Sequence, residues 1–417
     1  MKIIELRQDE FNKFTDKFML SSIYQTSEYA DVMSKQKFEV QLIGMINDID
    51  TLVAASLILI EKLGKFKYAY APRGFLIDYT DLNLLKTFTN EIKKYLKKQN
   101  VMAIKICPLI AKTKYTPSKN LTLANPAYDK IFQNLKSLKY YHLGYNNYFE
   151  GLKPRFVAIA ELEKDTAKMF TKLHRDYKEK IKACDLAGVR IYKGTENNLN
   201  FIFEQMREQK ENSKEYVEDM YRYFNSKGKV AVYFAQLEPK TFLINTQIEY
   251  QKQINICNSI TEEVFKHQGK NNNEIISRKI KEDNKLNALK NQLVYATNLL
   301  KQHPNGIIIA SAMVIIHRNQ VYLTLDGIDN NYKQLCPKHL LIWKIMERYG
   351  AEGYRELNLG GITNPTIDDN KYKGVNDFKL NFNASSIEYA GDFELVTSFP
   401  LYTLYRNGAP IRKILKK

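Results

Sequence analysis

One ordered run of apolar segments occurs twice in this chain, and that recurrence limits the fold more than any single residue does. In the first copy, Leu52 to Ile60 is a continuous apolar run of strand length, Lys62 to Lys65 a polar turn, and Phe66 to Ala71 a second strand ending in Pro72-Arg73-Gly74. An amphipathic helix over 81–98 follows, with Leu84, Leu85, Phe88, Ile92 and Leu96 on one face, and Val101 to Cys107 closes the unit as a strand. About 255 residues later the order returns. Ile307 to Ile316 is a strand, 317–320 a turn, Val321 to Leu325 its partner, 326–334 a polar loop, 337–349 a helix, and Tyr354 to Leu359 the closing strand. A chain of 417 residues also exceeds what one hydrophobic core usually serves.

Strand, turn, strand, loop, helix, strand is the central layout of an acyl-CoA N-acetyltransferase-like (GNAT-like) domain, so the expected fold class is α/β with two tandem GNAT-like domains. Between the copies, Lys168 to Lys182 reads as a basic helix, closed by Gly188 as a left-handed cap. A helix around 201–210 and a strand from Lys229 to Gln236 follow. Residues 241–303 lack proline, and their only glycine is Gly269, in a polar stretch of asparagines. Tyr250, Ile254, Cys257, Thr261 and Val264 on one side, and Leu286, Leu289, Leu293, Ala296 and Leu300 on the other, step by three and four. That spacing predicts an inserted antiparallel coiled-coil helical hairpin with arms of about 40 Å. The domains are then 1–150, the discontinuous 151–240 with 304–417, and the hairpin 241–303.

Composition narrows the class. Sixty-three Lys and Arg against 46 acids give a formal charge of +17, a field that attracts nucleic acid, phosphorylated metabolites or an anionic membrane face. The opening MKIIELRQDEF has no apolar h-region, so a signal peptide is not expected, and the longest apolar runs are too short to cross a bilayer. Four scattered cysteines form neither a CxxC pair nor a disulfide framework, so the expected setting is a reducing cytoplasm, with no metal site.

Several stretches, in order along the chain, resemble the Fem family of peptidoglycan cross-bridge aminoacyltransferases (FemA-, FemX- and MurM-like). They are Gln25-Thr-Ser-Glu-Tyr29; Tyr70-Ala-Pro-Arg-Gly-Phe-Leu-Ile-Asp78; His174 to Ala183 with Gly188-Val-Arg-Ile191; Val375 to Phe382; and Tyr389-Ala-Gly-Asp-Phe393. The likeness runs from about residue 5 to 405, and FemA-like members carry a hairpin at the corresponding place. The resemblance implies transfer of an amino acid from aminoacyl-tRNA to an amine of a lipid-linked or UDP-linked muropeptide precursor. It implies no cofactor, and an enzyme that is cytoplasmic, with peripheral contact at the inner membrane face. In one departure, a lysine expected near the precursor's pyrophosphate falls at Met33, with Lys35 and Lys37 close by. In another, the arginine expected near the acceptor has no secure counterpart among Arg207, Lys210, Lys214 and Arg222.

Aminolysis of a tRNA ester needs alignment of the amine and stabilisation of the oxyanion, not a covalent nucleophile. The absence of GxSxG, HExxH or a defensible Cys/His arrangement agrees. Lys379 is the first choice for the electrostatic role, with a solvated strand-face lysine as its plain alternative. Asp78 is a candidate general base, although acids beside such turns often cap the next segment. Arg73, whose fork suits a carboxylate or phosphate, joins Tyr70, Phe378 and Lys35 as candidate substrate-binding residues. Lys172, Arg175, Lys178 and Lys182 are candidates for tRNA phosphates, with a solvated face as the alternative. Two other readings stand beside this one: an acyl-CoA-dependent N-acyltransferase, against which the missing pyrophosphate loop counts, and a non-enzymatic RNA-binding protein.

Overall fold

The computed structural model describes residues 1–117, 121–151, 153–206, 213–266, 273–367 and 371–408. Its first half runs β1 (Lys2–Glu5), α1 (Gln8–Thr15), α2 (Ser27–Lys35), β2 (Glu39–Ile46), β3 (Leu52–Leu63), β4 (Phe66–Ala71) and α3 (Leu82–Lys98). Then come β5 (Val101–Ile106), β6 (Ala111–Tyr115), β7 (Thr122–Ala124), α4 (Tyr128–Ser137) and β8 (Tyr140–His142). The second half opens with β9 (Phe156–Glu161), α5 (Thr166–Thr171), α6 (Arg175–Leu186), β10 (Val189–Lys193), α7 (Leu199–Met206), α8 (Lys214–Asn225) and β11 (Val230–Leu237). Two long helices, α9 (Pro239–Lys266) and α10 (Asn273–Gln302), form the hairpin. The chain closes with β12 (Ile307–His317), β13 (Gln320–Ile328), α11 (Pro337–Ala351), β14 (Glu356–Ile362), α12 (Lys373–Leu380), β15 (Ala384–Tyr389), β16 (Phe393–Val396) and α13 (Phe399–Gly408).

Both copies of the repeat fold as their apolar order requires, with β3 and β12 beginning 255 residues apart. In each, two antiparallel strands lead through a helix to a parallel partner: β3, β4, α3, β5 in the first and β12, β13, α11, β14 in the second. Asp81 starts α3 by accepting the Leu84 backbone N–H at 3.0 Å, and Leu85, Phe88, Ile92 and Leu96 bury the predicted face. The fold is the double GNAT-like α/β architecture that the sequence order implies.

The sheets are seven-stranded (β1-β2-β3-β4-β5-β16-β8) and nine-stranded (β10-β11-β12-β13-β14-β9-β15-β6-β7). Two strand exchanges cross the division at residue 150: β6 and β7 pair into the second sheet, and β16 returns to the first. Each sheet has its own outer apolar cluster. A third cluster joins Phe11, Ile23 and Leu57 of the first half to Phe224, Phe234 and Met313 of the second. The halves therefore share a core.

Two local expectations change. The basic segment is not one helix but two, because the chain breaks at 172–174, where Leu173 turns inward and His174 takes an extended N-cap conformation. In the hairpin the near-arm seam runs through Thr246, Gln253, Cys257 and Ile260, so Gln253 and Ile260 take the places expected of Ile254 and Thr261. Gln253 is tolerated there because its amide donates to the Glu282 carboxylate (2.9 Å) and backbone carbonyl (3.1 Å) on the far arm. The predicted tip around Gly269 lies outside the described residues, as do Arg207 and Lys210.

Candidate active site

The two copies differ where their parallel strands meet. In the first, β4 and β5 stay paired to the last residue, Ala71 against Ile106. In the second, pairing of β13 with β14 stops at Tyr322 against Asn358, and beyond it the strands part. Thr324 bulges out of the β13 ladder on one side of this opening, and β14 carries a bulge between Asn358 and Gly361 on the other. A cleft of about 2000 Å³ occupies the splay and extends to the first half, where Tyr24, Arg73 and Tyr148 to Glu150 line it, with Gly151, Lys153 and Pro154 beside them. Its cationic side chains are Arg73, Lys153, Lys338, Lys371 and Lys379, against Glu150 and Asp326.

Lys379 lies on a helix, not a strand. Asn376 of α12 accepts the Thr363 N–H at 2.9 Å and donates to the Thr363 carbonyl at 3.2 Å, which clamps α12 to the end of β14. Behind it, the Tyr177 hydroxyl of α6 donates to the Phe378 carbonyl at 3.1 Å. So held, Lys379 directs its ammonium to the Gly361 carbonyl at 2.7 Å. Gly360, at a φ of 83°, makes the turn in β14 that presents that carbonyl, a conformation a side chain would strain.

Lys338, in the first turn of α11, pairs with Asp326 and lies 5.1 Å from the Phe378 ring centroid. Burial alone would raise the Asp326 carboxyl's pKa, but the ammoniums of Lys338 and Lys379 outweigh it and hold the acid below its usual range. Asp326 is thus an ionised counter-charge and a weak base.

The sequence candidates separate into two groups. Lys379, Phe378 and Arg73 line the cleft together. Arg73 is buried, at a φ of 55°; its guanidinium donates to the Pro154 carbonyl at 2.7 Å and stacks 4.8 Å from the Tyr389 ring centroid. Gln25 supports this turn by donating to the Pro72 carbonyl (2.7 Å) and accepting the Leu57 N–H (2.8 Å), so two of the sequence motifs form one structural device.

Tyr70, Lys35 and Asp78 lie outside the cleft. Tyr70 is buried with its hydroxyl 3.0 Å from the Cys107 sulfur, and Lys35 is exposed in the last turn of α2. Asp78 is exposed and accepts from the Thr80 hydroxyl (2.7 Å) and N–H (2.8 Å), which depresses its pKa. That is a turn-capping arrangement, and it gives the general-base role no support.

The basic run on α5 and α6 is largely tied to its own acids. Lys172 pairs with Glu163, and Arg175 with Glu179 at 3.0 Å. Lys178 donates to the Thr171 carbonyl at 3.1 Å, and Lys182 is exposed.

Sequence reading missed Lys153, Lys338, Asp326 and the Gly360-Gly361 pair. The adjacent glycines at a strand end were the available signal. Ser21 and His317, 2.8 Å apart, have the spacing of a nucleophile and base. Both are buried and, among the described residues, the His317 Nδ1 has no hydrogen-bond partner, so no acid there orients the ring and the pair reads as structural.

These features define a class: a double GNAT-like protein whose one open splay holds a cationic cleft. The FemAB family model matches residues 6–407, and the chain belongs to that family. It is similar to aminoacyltransferase FemA of Staphylococcus epidermidis, 28% identical over 426 residues, covering 99% of this chain and 100% of that protein. With the FemA of Staphylococcus aureus strain N315 it shares 26% identity over 418 residues and 97% of each chain. Among solved structures, the crystal structure of FemX superposes with a TM-score of 0.74 at 20% identity, covering 97% of this chain and 100% of that one, a likeness of fold.

Proposed function

We propose that this protein is an aminoacyltransferase of cell-wall synthesis that moves an amino acid from aminoacyl-tRNA to an amine of a peptidoglycan precursor. The observation that carries the reading is Lys379, held in the cationic cleft by the clamp between α12 and β14. Family membership and the likeness to FemA over nearly the whole chain support it.

In the mechanism, the acceptor nitrogen adds to the ester carbonyl and the electron pair moves to the carbonyl oxygen. Lys379 stabilises that oxyanion as the C–N bond forms. Collapse breaks the bond to the ribose 3′ oxygen, which leaves with the pair and takes up the proton shed by the nitrogen. Phe378 and Lys338 wall the reacting carbonyl, and Arg73 faces the acceptor. Arg175, Lys178 and Lys182 of α6, the helix whose Tyr177 is bonded to the Phe378 carbonyl of α12, are assigned to the phosphates of the tRNA acceptor arm.

The test is to incubate the protein with a pool of charged tRNAs and either lipid-linked or UDP-linked precursor, then weigh the product. A mass gain of one aminoacyl residue with one precursor is expected. No gain with either, or coenzyme A found bound to the purified protein, would overturn the reading.

A further inference from the structure

Lys153 and Arg73 both line the cleft, close enough for the charge of one to act on the other. The Lys153 ammonium lies 3.7 Å from the Tyr24 ring centroid and 5.5 Å from that of Tyr29, with the Tyr29 hydroxyl at 3.4 Å. The groups facing it come from five elements: Tyr24 from the segment before α2, Tyr29 from α2, Arg73 from the turn after β4, Cys107 after β5, and Tyr216 of α8 beside the two tyrosines. Burial raises the pKa of Cys107 and of all three tyrosines, so these neighbours are neutral and Arg73 is the one charged group among them.

The carboxylates on adjoining segments are engaged elsewhere. Asp392 pairs with Lys105 at 2.7 Å, and Glu150 accepts the Tyr148 backbone N–H at 2.9 Å. Among the described residues neither Lys153 nor Arg73 has an acidic partner within ion-pair distance. Two like charges in a desolvated wall without a counter-charge are costly, and a bound anion removes the cost.

We propose that Lys153 and Arg73 form an anion seat that takes a phosphate or carboxylate group of the acceptor substrate. Assignment of the anion to the acceptor rests on the function proposed above; the seat does not. Pro154, next to Lys153, packs against Gly361, whose carbonyl holds Lys379. An acceptor anchored at the seat therefore has its remaining length directed along the cleft floor toward Lys379.

The seat has a titration signature. Burial, with a further contribution from Arg73, pushes the Lys153 pKa down to about 7. An anion restores the charged form, so binding takes up a proton and weakens as pH rises through that value.

The test measures binding to the full chain by calorimetry, with inorganic pyrophosphate as one probe and N-acetyl-alanyl-alanine as the other. Which probe binds distinguishes a phosphate from a carboxylate source. Wild type should bind one of them, and should lose affinity relative to Lys153→Arg between pH 6 and pH 9. Lys153→Met should lose about tenfold or more in affinity, the worth of one charge-assisted hydrogen bond. Lys153→Arg should match wild type at pH 6 and bind more tightly than wild type at pH 9, since both proteins meet the same probe charge at each pH.

Two results overturn the seat: wild type binding neither probe at millimolar concentration, or a normally melting Lys153→Met protein binding like wild type. If Lys153→Met melts early, the pH profile decides. A wild-type profile no steeper than that of Lys153→Arg rejects the seat, and a steeper one upholds it. Transfer activity is not a readout here. A protein that binds the anion and transfers nothing removes the proposed reaction and leaves the seat standing.

Discussion

Lys379 is fixed by three local constraints: the Asn376–Thr363 clamp, the Tyr177 hydroxyl on the Phe378 carbonyl, and the bent β14 that offers the Gly361 oxygen. The first two hold the helix without the ammonium, and only the contact with the Gly361 oxygen depends on it. Lys379→Met is therefore expected to melt within a degree or two of wild type while transfer falls about a hundredfold, the usual cost of one lost oxyanion donor. A normally melting variant with near wild-type rate would remove the residue from the mechanism. Asp78 should behave in the opposite way. Its carboxylate is committed to Thr80 outside the cleft, so Asp78→Ala is expected to cost about 1 kcal/mol of stability, read by urea unfolding, and leave the transfer rate unchanged. A large rate loss at full stability would return Asp78 to the chemistry. Phe378, Lys379 and Arg73 were legible in the sequence because each sits in a short local motif. Lys153 and the Lys338–Asp326 pair were not, since what makes them notable is the company of residues more than ten positions away.

At the scale of elements, the hairpin and the basic helix raise different questions. Arms of 28 and 30 residues span about 42 and 45 Å, and the Glu263–Arg278 and Gln253–Glu282 contacts fix their antiparallel register. The base of the hairpin belongs to the second half's core, where Phe242, Ala296 and Leu299 are buried. Replacing 250–292 with a short linker should therefore leave both sheets folded, seen as an unchanged melting transition. Extending the deletion to 241–303 removes Phe242 and its partners and should cost at least 3 kcal/mol, roughly the price of one large core truncation. If the shorter deletion alone unfolds the protein cooperatively, the distal arms are part of the core. Periodicity revealed the hairpin and placed Cys257 and Ala296 in its seam, but put Ile254 and Thr261 where Gln253 and Ile260 lie, because a satisfied Gln253 looks the same in sequence as an exposed one. On α6, neutralising Arg175, Lys178 and Lys182 together should weaken tRNA binding and reduce its log–log salt slope by about 2. The internal Glu179 and Thr171 partners make a full three-contact loss too large an expectation. An unchanged slope would place the tRNA elsewhere.

Across the whole molecule, the repeated apolar order was readable because each copy buries its own face. The exchange of β6, β7 and β16 was not, because strand pairing across hundreds of residues leaves no periodic trace. The halves also meet through polar contacts. Arg318 donates to the Phe18 carbonyl at 2.6 Å, Lys229 pairs with Glu28 at 2.9 Å, and Ser21 meets His317 at 2.8 Å. His317 makes this junction acid-sensitive. Burial, then the nearby charges of Lys229 and Arg318, lowers its pKa to about 3, against about 6.5 in the unfolded chain. Between those values the unfolded state binds a proton that the folded state does not, so stability rises with pH there. It is complete above about pH 6.5 and is lost progressively as pH falls toward 3. At pH 5 the loss from this one ring is about 2 kcal/mol. His317→Gln can keep a hydrogen bond to Ser21 but does not titrate, so its unfolding free energy should change less between pH 7.5 and pH 5 than that of wild type, by that amount. Every other acid-titrating group contributes equally to both proteins and cancels in the comparison. Equal changes in urea unfolding for the two proteins would show that His317 is protonated in the folded state, and the junction would then have to offer its Nδ1 an acceptor.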